Sequence, residues 1–499
     1  MKASPRLVTA VALTLLTAQA PAANLVEVYQ RALQNDPIIR EADANRLAVR
    51  QAKPLAWSAL LPLIDGTASV GKQDSQGRRS VNVDLAAELP VVNRQRSVQG
   101  DSDVTEWRLR LSQPVFHWES WVALKRADAQ VAQAEVDFKA AEQDLVLRTA
   151  QRYFDVLAAK DTVDAAQASV ESFARQLEQA DKRFEVGLIA VTDVQEARAA
   201  HDSAVADLIA ARRSLTTAQE LLRELTGEAF NELAAPVADM PLSRPEPQNP
   251  DEWVRGALEQ NLRLTSTRLA TEIAKQDVRT ARAGHLPSLD IVAERNSVDI
   301  DGSQTLNGFK DPNDSDIRQD SIFLQLTVPI YSGGETSALV RQNVYLHRAA
   351  RERLERTARE TERSTRDAYL GVISEISRVQ ALRQAVQSSR TALEATEAGF
   401  EVGTRTTVDV LDARRRLFEA QTNYARSRYD YILNLIQLKV AAGTLARTDL
   451  DAINAWLRET ASLQDTSRAP EVAPTTSPPP AMGPAPESSP ATSTPPPKS

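Results

Sequence analysis

The sequence predicts a mixed α+β chain, internally duplicated, in which pairs of strands alternate with helices far longer than globular domains use. Three observations predict it. The block Phe184-Glu185-Val186-Gly187 with Asp193-Val194 returns as Phe400-Glu401-Val402-Gly403 with Asp409-Val410, and the same offset carries Tyr153 to Tyr369 and Leu225 to Ala441. Chance similarity between low-complexity helices does not hold Gly and Asp in register over such a distance, so duplication is the better reading. No proline occurs across residues 115–235 or 330–469, which leaves room for uninterrupted helices. Ahead of each of these stretches, apolar and polar residues alternate with period two.

Composition agrees. Aromatic residues make up 5% of the 499, charged residues 25%, and alanine recurs throughout, which suits long helices packed through narrow seams. The net charge of −8 argues against nucleic acid as a partner, because a polyanion is repelled.

In chain order, residues 1–22 read as a secretory signal: Lys2 and Arg6, a short apolar run, then Ala20-Pro21-Ala22 as a small-x-small cleavage pattern. There is no cysteine, hence no lipid-anchor cysteine, no thiolate metal site and no cysteine nucleophile. Beyond the signal no apolar run reaches the roughly 18 residues a membrane helix needs, so a membrane span requires strands. The first repeat is expected over residues 23–227, a connector over 228–249 and the second repeat over 250–443. A C-terminal helix over 444–462 and a disordered tail over 463–499, with eleven of the 26 prolines, follow.

Within the first repeat a helix is expected over 119–185, about 100 Å at 1.5 Å per residue. Its seam steps by three and four from Leu124 through Ala127, Val131, Ala134, Phe138 and Ala141 to Leu145. A second seam runs from Val194 to Leu225 and repeats from Val410 to Ala441, with Gly227 and Gly443 as end caps. Trp107, Leu109 and Leu111 alternate with Arg108, Arg110 and Ser112; Ile322, Leu324, Leu326 and Val328 alternate with Phe323, Gln325 and Thr327. Weaker alternation surrounds Leu289–Ala293 and Leu63–Gly71. This pattern describes a membrane-barrel strand and any half-buried strand alike. The polar stretches 73–103 and 299–319 are expected as exposed loops.

Few residues point to chemistry. His117, His201, His285 and His347 lack ligand spacing, and neither a Gly-rich phosphate loop nor a nucleophile–base constellation appears, so no metal, no cofactor and no catalytic residue is expected. Asp409 and Asp412 lie three apart at a helix start and share one face; taken alone they are acids at the positive end of a helix dipole. Gly187 and Gly403 suit tight turns.

Two copies supply four strands, which cannot close a barrel, and a helix of about 100 Å cannot bury its seam alone, so both features ask for an oligomer. At this point the sequence resembles the TolC family of outer-membrane export proteins, from about Leu25 to Leu457. The resemblance rests on Val28-Tyr29-Gln30-Arg31-Ala32, Phe184-Glu185-Val186-Gly187, His285-Leu286-Pro287-Ser288-Leu289-Asp290, Ala398-Gly399-Phe400-Glu401-Val402-Gly403-Thr404-Arg405 and Val408-Asp409-Val410-Leu411-Asp412-Ala413. It implies a homotrimer in outer-membrane lipid, with four strands per chain in a twelve-stranded barrel continuous with a periplasmic helical barrel. It also implies a tunnel for drugs or secreted polypeptides, without enzymatic activity, served by a periplasmic adaptor and an inner-membrane pump or ABC transporter. On the same footing Asp409 and Asp412 form an acidic ring at the entrance. Arg405 links to the Asp193 region as a gate, Phe400 stands where the network often has a tyrosine, and the Gly187 and Gly403 turns dock the adaptor. A pore-free periplasmic coiled-coil protein is the alternative; it explains the helices but not the paired strands.

Overall fold

Helices near 100 Å long dominate the protein. The computed structural model describes residues 22–83, 92–237, 239–306 and 309–463; the expected signal up to residue 21 and the tail from residue 464 lie outside them. The first half holds α1 (Leu25–Asn35), α2 (Pro37–Arg50), α3 (Ala52–Ser58), the strands β1 (Leu63–Val83) and β2 (Val92–Phe116), and the hairpin α4 (Trp118–Glu185) and α5 (Val191–Thr226). After β3 (Glu232–Pro236) come α6 (Pro250–Gln260), α7 (Leu262–Ala283), β4 (Ser288–Leu306), β5 (Phe309–Pro312) and β6 (Ser315–Thr327). A second hairpin, α8 (Glu335–Glu401) and α9 (Thr407–Ala442), is followed by α10 (Arg447–Asn454) and β7 (Leu457–Ser462).

The long helices have matching dimensions, 68 and 67 residues for α4 and α8 and 36 each for α5 and α9. Of the seam expected on α5, Val194, Ala197, Ala204, Leu208, Ala211, Leu215, Ala218, Leu222 and Leu225 are buried, and only His201 is half-exposed. Small residues at alternate seam positions let α5 lie close against α4. Gly227 and Gly443 end α5 and α9 with φ of 76° and 73°, the left-handed conformation that releases the chain from a helix. Beside each, an asparagine from the facing helix joint completes the cap: Asn35 donates to Thr226 O at 2.7 Å and Asn261 to Ala441 O at 2.9 Å. Each end therefore closes with an extra donor for an orphan carbonyl.

The strands form one antiparallel sheet in the order β1-β2-β4, with β6 along most of β4 and β5 at its far end. Register separates the faces. Ile64, Leu109, Leu111, Ala293 and Ile322 share one face, joined by Leu289, Ile291, Leu324 and Leu326. Asp65, Arg108, Arg110, Glu294, Asn296, Gln319 and Ser321 occupy the other. The apolar face is not covered within the chain: Ile64, Leu109, Ile322, Leu324 and Leu326 are all exposed. Outward along it the apolar band gives way to ion pairs, Lys72–Asp103 at 3.5 Å and Arg295–Asp320 at 3.4 Å.

Nearly all of the described residues in the polar stretches 73–103 and 299–319 are strand, not loop. β1 continues to Val83, β2 starts at Val92, and β4 runs on to Leu306. Cross-strand backbone pairing satisfies their polar groups wherever the side chains point, so a strand with two polar faces carries no apolar period to betray it. At about 3.3 Å per residue the 25-residue β2 is roughly 80 Å long, well beyond the 9–11 residues that cross a bilayer.

Midway along the helices lies the main core. Val146, Phe154 and Leu157 of α4, Leu208, Leu215 and Leu222 of α5, Val372 and Ile376 of α8, and Tyr431, Ile432 and Ile436 of α9 belong to one buried cluster. The small sheet β3–β7 caps it, pairing the connector with Leu457–Ser462. The helix expected over 444–462 is therefore confined to α10, and its last six residues are strand. Tyr153 anchors this sheet by donating to Ala234 O at 2.5 Å, while Tyr369 donates to Gln248 O at 2.8 Å. Burial pushes the Tyr153 phenol far up, so it stays a donor.

Candidate functional site at the paired helix turns

Each hairpin ends away from the sheet in a five-residue turn, and both turns are built alike. At the α4–α5 turn Gly187 adopts φ 76°, its N–H donates to Phe184 O at 2.8 Å, and Leu188 N–H donates to Arg183 O at 2.9 Å. The α8–α9 turn repeats this: Gly403 has φ 78°, its N–H donates to Phe400 O at 3.2 Å, and Thr404 N–H donates to Gly399 O at 2.8 Å. A Cβ at either glycine meets open space, so the glycine is required by its left-handed backbone and not by crowding.

The acids begin the next helices. Asp193 accepts from Ala190 N–H at 3.1 Å. Asp409 accepts from both the N–H and the hydroxyl of Thr406, each at 2.9 Å, and its own N–H donates back to that hydroxyl at 3.2 Å, a complete capping box. Those donors, then the nearby Arg405 charge, hold the Asp409 carboxyl below the usual aspartate range. Asp412, one turn on, faces Arg415 at 3.6 Å.

Arg405 is placed by Gly399. A Cβ at residue 399 would stand 2.7 Å from Arg405 Cγ, so the missing side chain lets the arginine stem fold back over the last turn of α8. Among the described residues no ion pair within the chain joins Arg405 to Asp193, whose carboxylate is engaged by its own helix start. Phe400 lies beneath the Arg183 guanidinium, 4.8 Å from the ring centroid. A cation over an aromatic face thus ties the end of α4 to the end of α8.

Sequence alone assigned no part to Arg183 or to Arg414, which donates to Ser172 O and Glu397 Oε1, and held Gly399 only inside a longer stretch. The duplication held a signal for two of them: Arg183 occupies the position of Gly399, so the copies trade a large cation for no side chain. Arg414 gave none, since an arginine on a polar-rich helix reads as a solvated charge.

The turns also differ in polarity. Val186, Leu188 and Val191 are exposed around the first; Val402, Thr404 and Thr407 take their places in the second, where Arg405 and Thr406 also replace Ile189 and Ala190.

The chain as a whole is similar to known outer-membrane proteins. The family model described as outer membrane efflux protein matches residues 28–228 and again 253–444. The chain is 36% identical over 458 residues to the outer membrane protein TolC of Vibrio cholerae, covering 92% of this chain and 99% of that one. It is 29% identical to the alkaline protease secretion protein AprF of Pseudomonas aeruginosa, over 89% of each chain. Among solved structures, the CmeC outer membrane channel of Campylobacter jejuni superposes with a TM-score of 0.67 at 19% identity, covering 87% of this chain and 89% of that one.

Proposed function

This chain belongs to the outer membrane efflux protein family, and we propose that three copies assemble into one export tunnel gated at the paired helix turns. It is an outer-membrane channel with a periplasmic extension, serving tripartite efflux or type I secretion. One observation carries the trimer: a four-position sheet with an uncovered apolar face whose outermost strands, β1 and β6, each pair on one side alone among the described residues. Unpaired strand edges are not tolerated in lipid, so closure needs other copies, and three give twelve strands. The two matched segments act as copies of one unit, and the hairpins extend the barrel into the periplasm.

At the far end three copies bring Asp409 and Asp412 into one constriction, six carboxylates that attract cations and repel anions. Arg405, unpaired with Asp193 inside the chain, is free to reach the Asp193 region of a neighbouring copy and hold the entrance shut. The turns at Gly187 and Gly403 receive a periplasmic adaptor, which couples the tunnel to an inner-membrane pump or ABC transporter. No residue here is assigned chemistry on the cargo.

Extraction of the protein from outer membranes, followed by unheated gel electrophoresis and planar-bilayer recording, tests this. The expected result is a heat-stable trimer that conducts ions. A soluble periplasmic protein without conductance supports the pore-free coiled coil instead, and a conducting monomer would sink the shared barrel.

A further inference from the structure

We propose that Arg414 is a latch that holds the α8–α9 hairpin against α4 and so positions the closed entrance, a role that rests on the gated-tunnel reading. Its guanidinium joins three helices. Nε and Nη2 donate to Glu397 Oε1 of α8 at 3.1 and 2.7 Å, while Nη1 donates to the Ser172 carbonyl and hydroxyl of α4 at 3.0 and 2.7 Å. The side chain is only 16% exposed, so these bonds are shielded from competing water. A rigid planar fork can satisfy two partners on opposite sides at once; a lysine ammonium cannot match that geometry.

Position gives the latch its consequence. Nearer the sheet the two hairpins are joined by the continuous apolar core, and there Tyr429 donates to Asp161 at 2.7 Å across the same α9–α4 boundary. Burial holds the Asp161 carboxyl above its usual range, as befits a group inside that joint. Toward the turns the apolar contact shrinks to Phe173 and Ala204 packed on Leu411, and the next cluster, Ala180, Val194 and Ala197, lies wholly within α4–α5. The distal α8–α9 arm is therefore held to α4 mainly by separable polar and cation–π contacts, and the core above serves as its hinge. The equivalent arginine of the first hairpin, Arg198, is exposed, so the latch belongs to one hairpin only.

Full-length trimers recorded in planar bilayers test the latch. Arg414→Ala should spend at least about threefold more time at high-conductance levels, since losing shielded charge-assisted bonds shifts a two-state equilibrium several-fold. Arg414→Lys should lie between Arg414→Ala and the unmodified protein, and exposed Arg416→Ala should match the latter. Wild-type behaviour of Arg414→Ala, or an equal rise in Arg416→Ala, overturns the proposal. Should Arg414→Ala fail to assemble, Ser172→Ala decides: it removes one acceptor, and a smaller rise supports the latch while no rise overturns it. Failure of the unmodified protein to conduct counts against the tunnel, not against the latch.

Discussion

The two helix turns share a backbone and the Phe-Glu-Val-Gly approach to it, and differ in the charge and hydroxyl groups set around them. Both place glycine in the left-handed region, φ 76° and 78°, and both start the following helix with an aspartate that accepts from the N-cap N–H. Around that common frame Arg183 stands where the other turn has Gly399, Ile189 where it has Arg405, and Ala190 where it has Thr406. A turn needs little to be reproduced: one residue free to take positive φ and one carboxylate for orphan N–H groups. The remaining positions are open to charge, and the second turn carries its arginine and its hydroxyl where the first has Ile and Ala. On the proposed reading, duplication supplies the tube and divergence supplies the gate.

The largest expected effect follows from that division. Replacing Asp409 and Asp412 together with alanine should lower cation-over-anion permeability by about tenfold, which corresponds to only ~1.4 kcal/mol of electrostatic preference in the constriction. The equivalent pair in the first turn, Asp193→Ala with Glu196→Ala, should change it far less. Reversal potentials measured under a salt gradient decide the matter. Equal effects from both pairs would break the assignment of selectivity to the second turn.

A smaller change should follow at Arg405. Arg405→Ser is expected to raise single-channel conductance by roughly two- to threefold, the scale set by losing one partly exposed ionic link per copy. Ile189→Ser, the same replacement at the matching place, should leave conductance where it was. An unchanged Arg405→Ser channel removes that arginine from the clamp and leaves the Arg183–Phe400 contact and the Arg414 latch to hold the arm.

How far these features could be read beforehand depends on whether they repeat along the chain. Helix α4 was expected over 119–185 and is found at Trp118–Glu185, because a seam with fixed steps and no proline specifies its own extent. The α5 seam and the glycine ends were legible for the same reason. The outer halves of β1 and β2 were not, since strands polar on both faces look like loops until backbone pairing is seen. The β3–β7 sheet joins segments more than two hundred residues apart through a proline-containing connector, with no local period to mark it. At the site, the turns and acids stood out through duplication, whereas the Arg414 link depends on where Ser172 of a different helix happens to lie.

The smallest effect isolates the caps. Thr406 gives α9 a hydroxyl acceptor that Ala190 cannot offer α5, so Thr406→Ala should weaken the first turn of α9 by about 1 kcal/mol. That corresponds to roughly fivefold faster amide exchange there. Ala190→Thr should slow exchange in the first turn of α5 by a comparable or smaller factor, making the two starts alike. The pH dependence has a definite sign. Because the folded Asp409 carboxyl sits below its ordinary value, its contribution is present above that ordinary value and is lost as pH falls through the lowered one. Removing the Thr406 hydroxyl takes away one of the donors that lowers it, so in Thr406→Ala the protection of this turn, and the cation selectivity that needs the charge, should both fade at a higher pH. Hydrogen-exchange mass spectrometry and reversal potentials across the acidic range report the two independently. If selectivity fades at the same pH with and without the hydroxyl, Asp409 is a helix cap alone, and Asp412 carries the charge that ions meet.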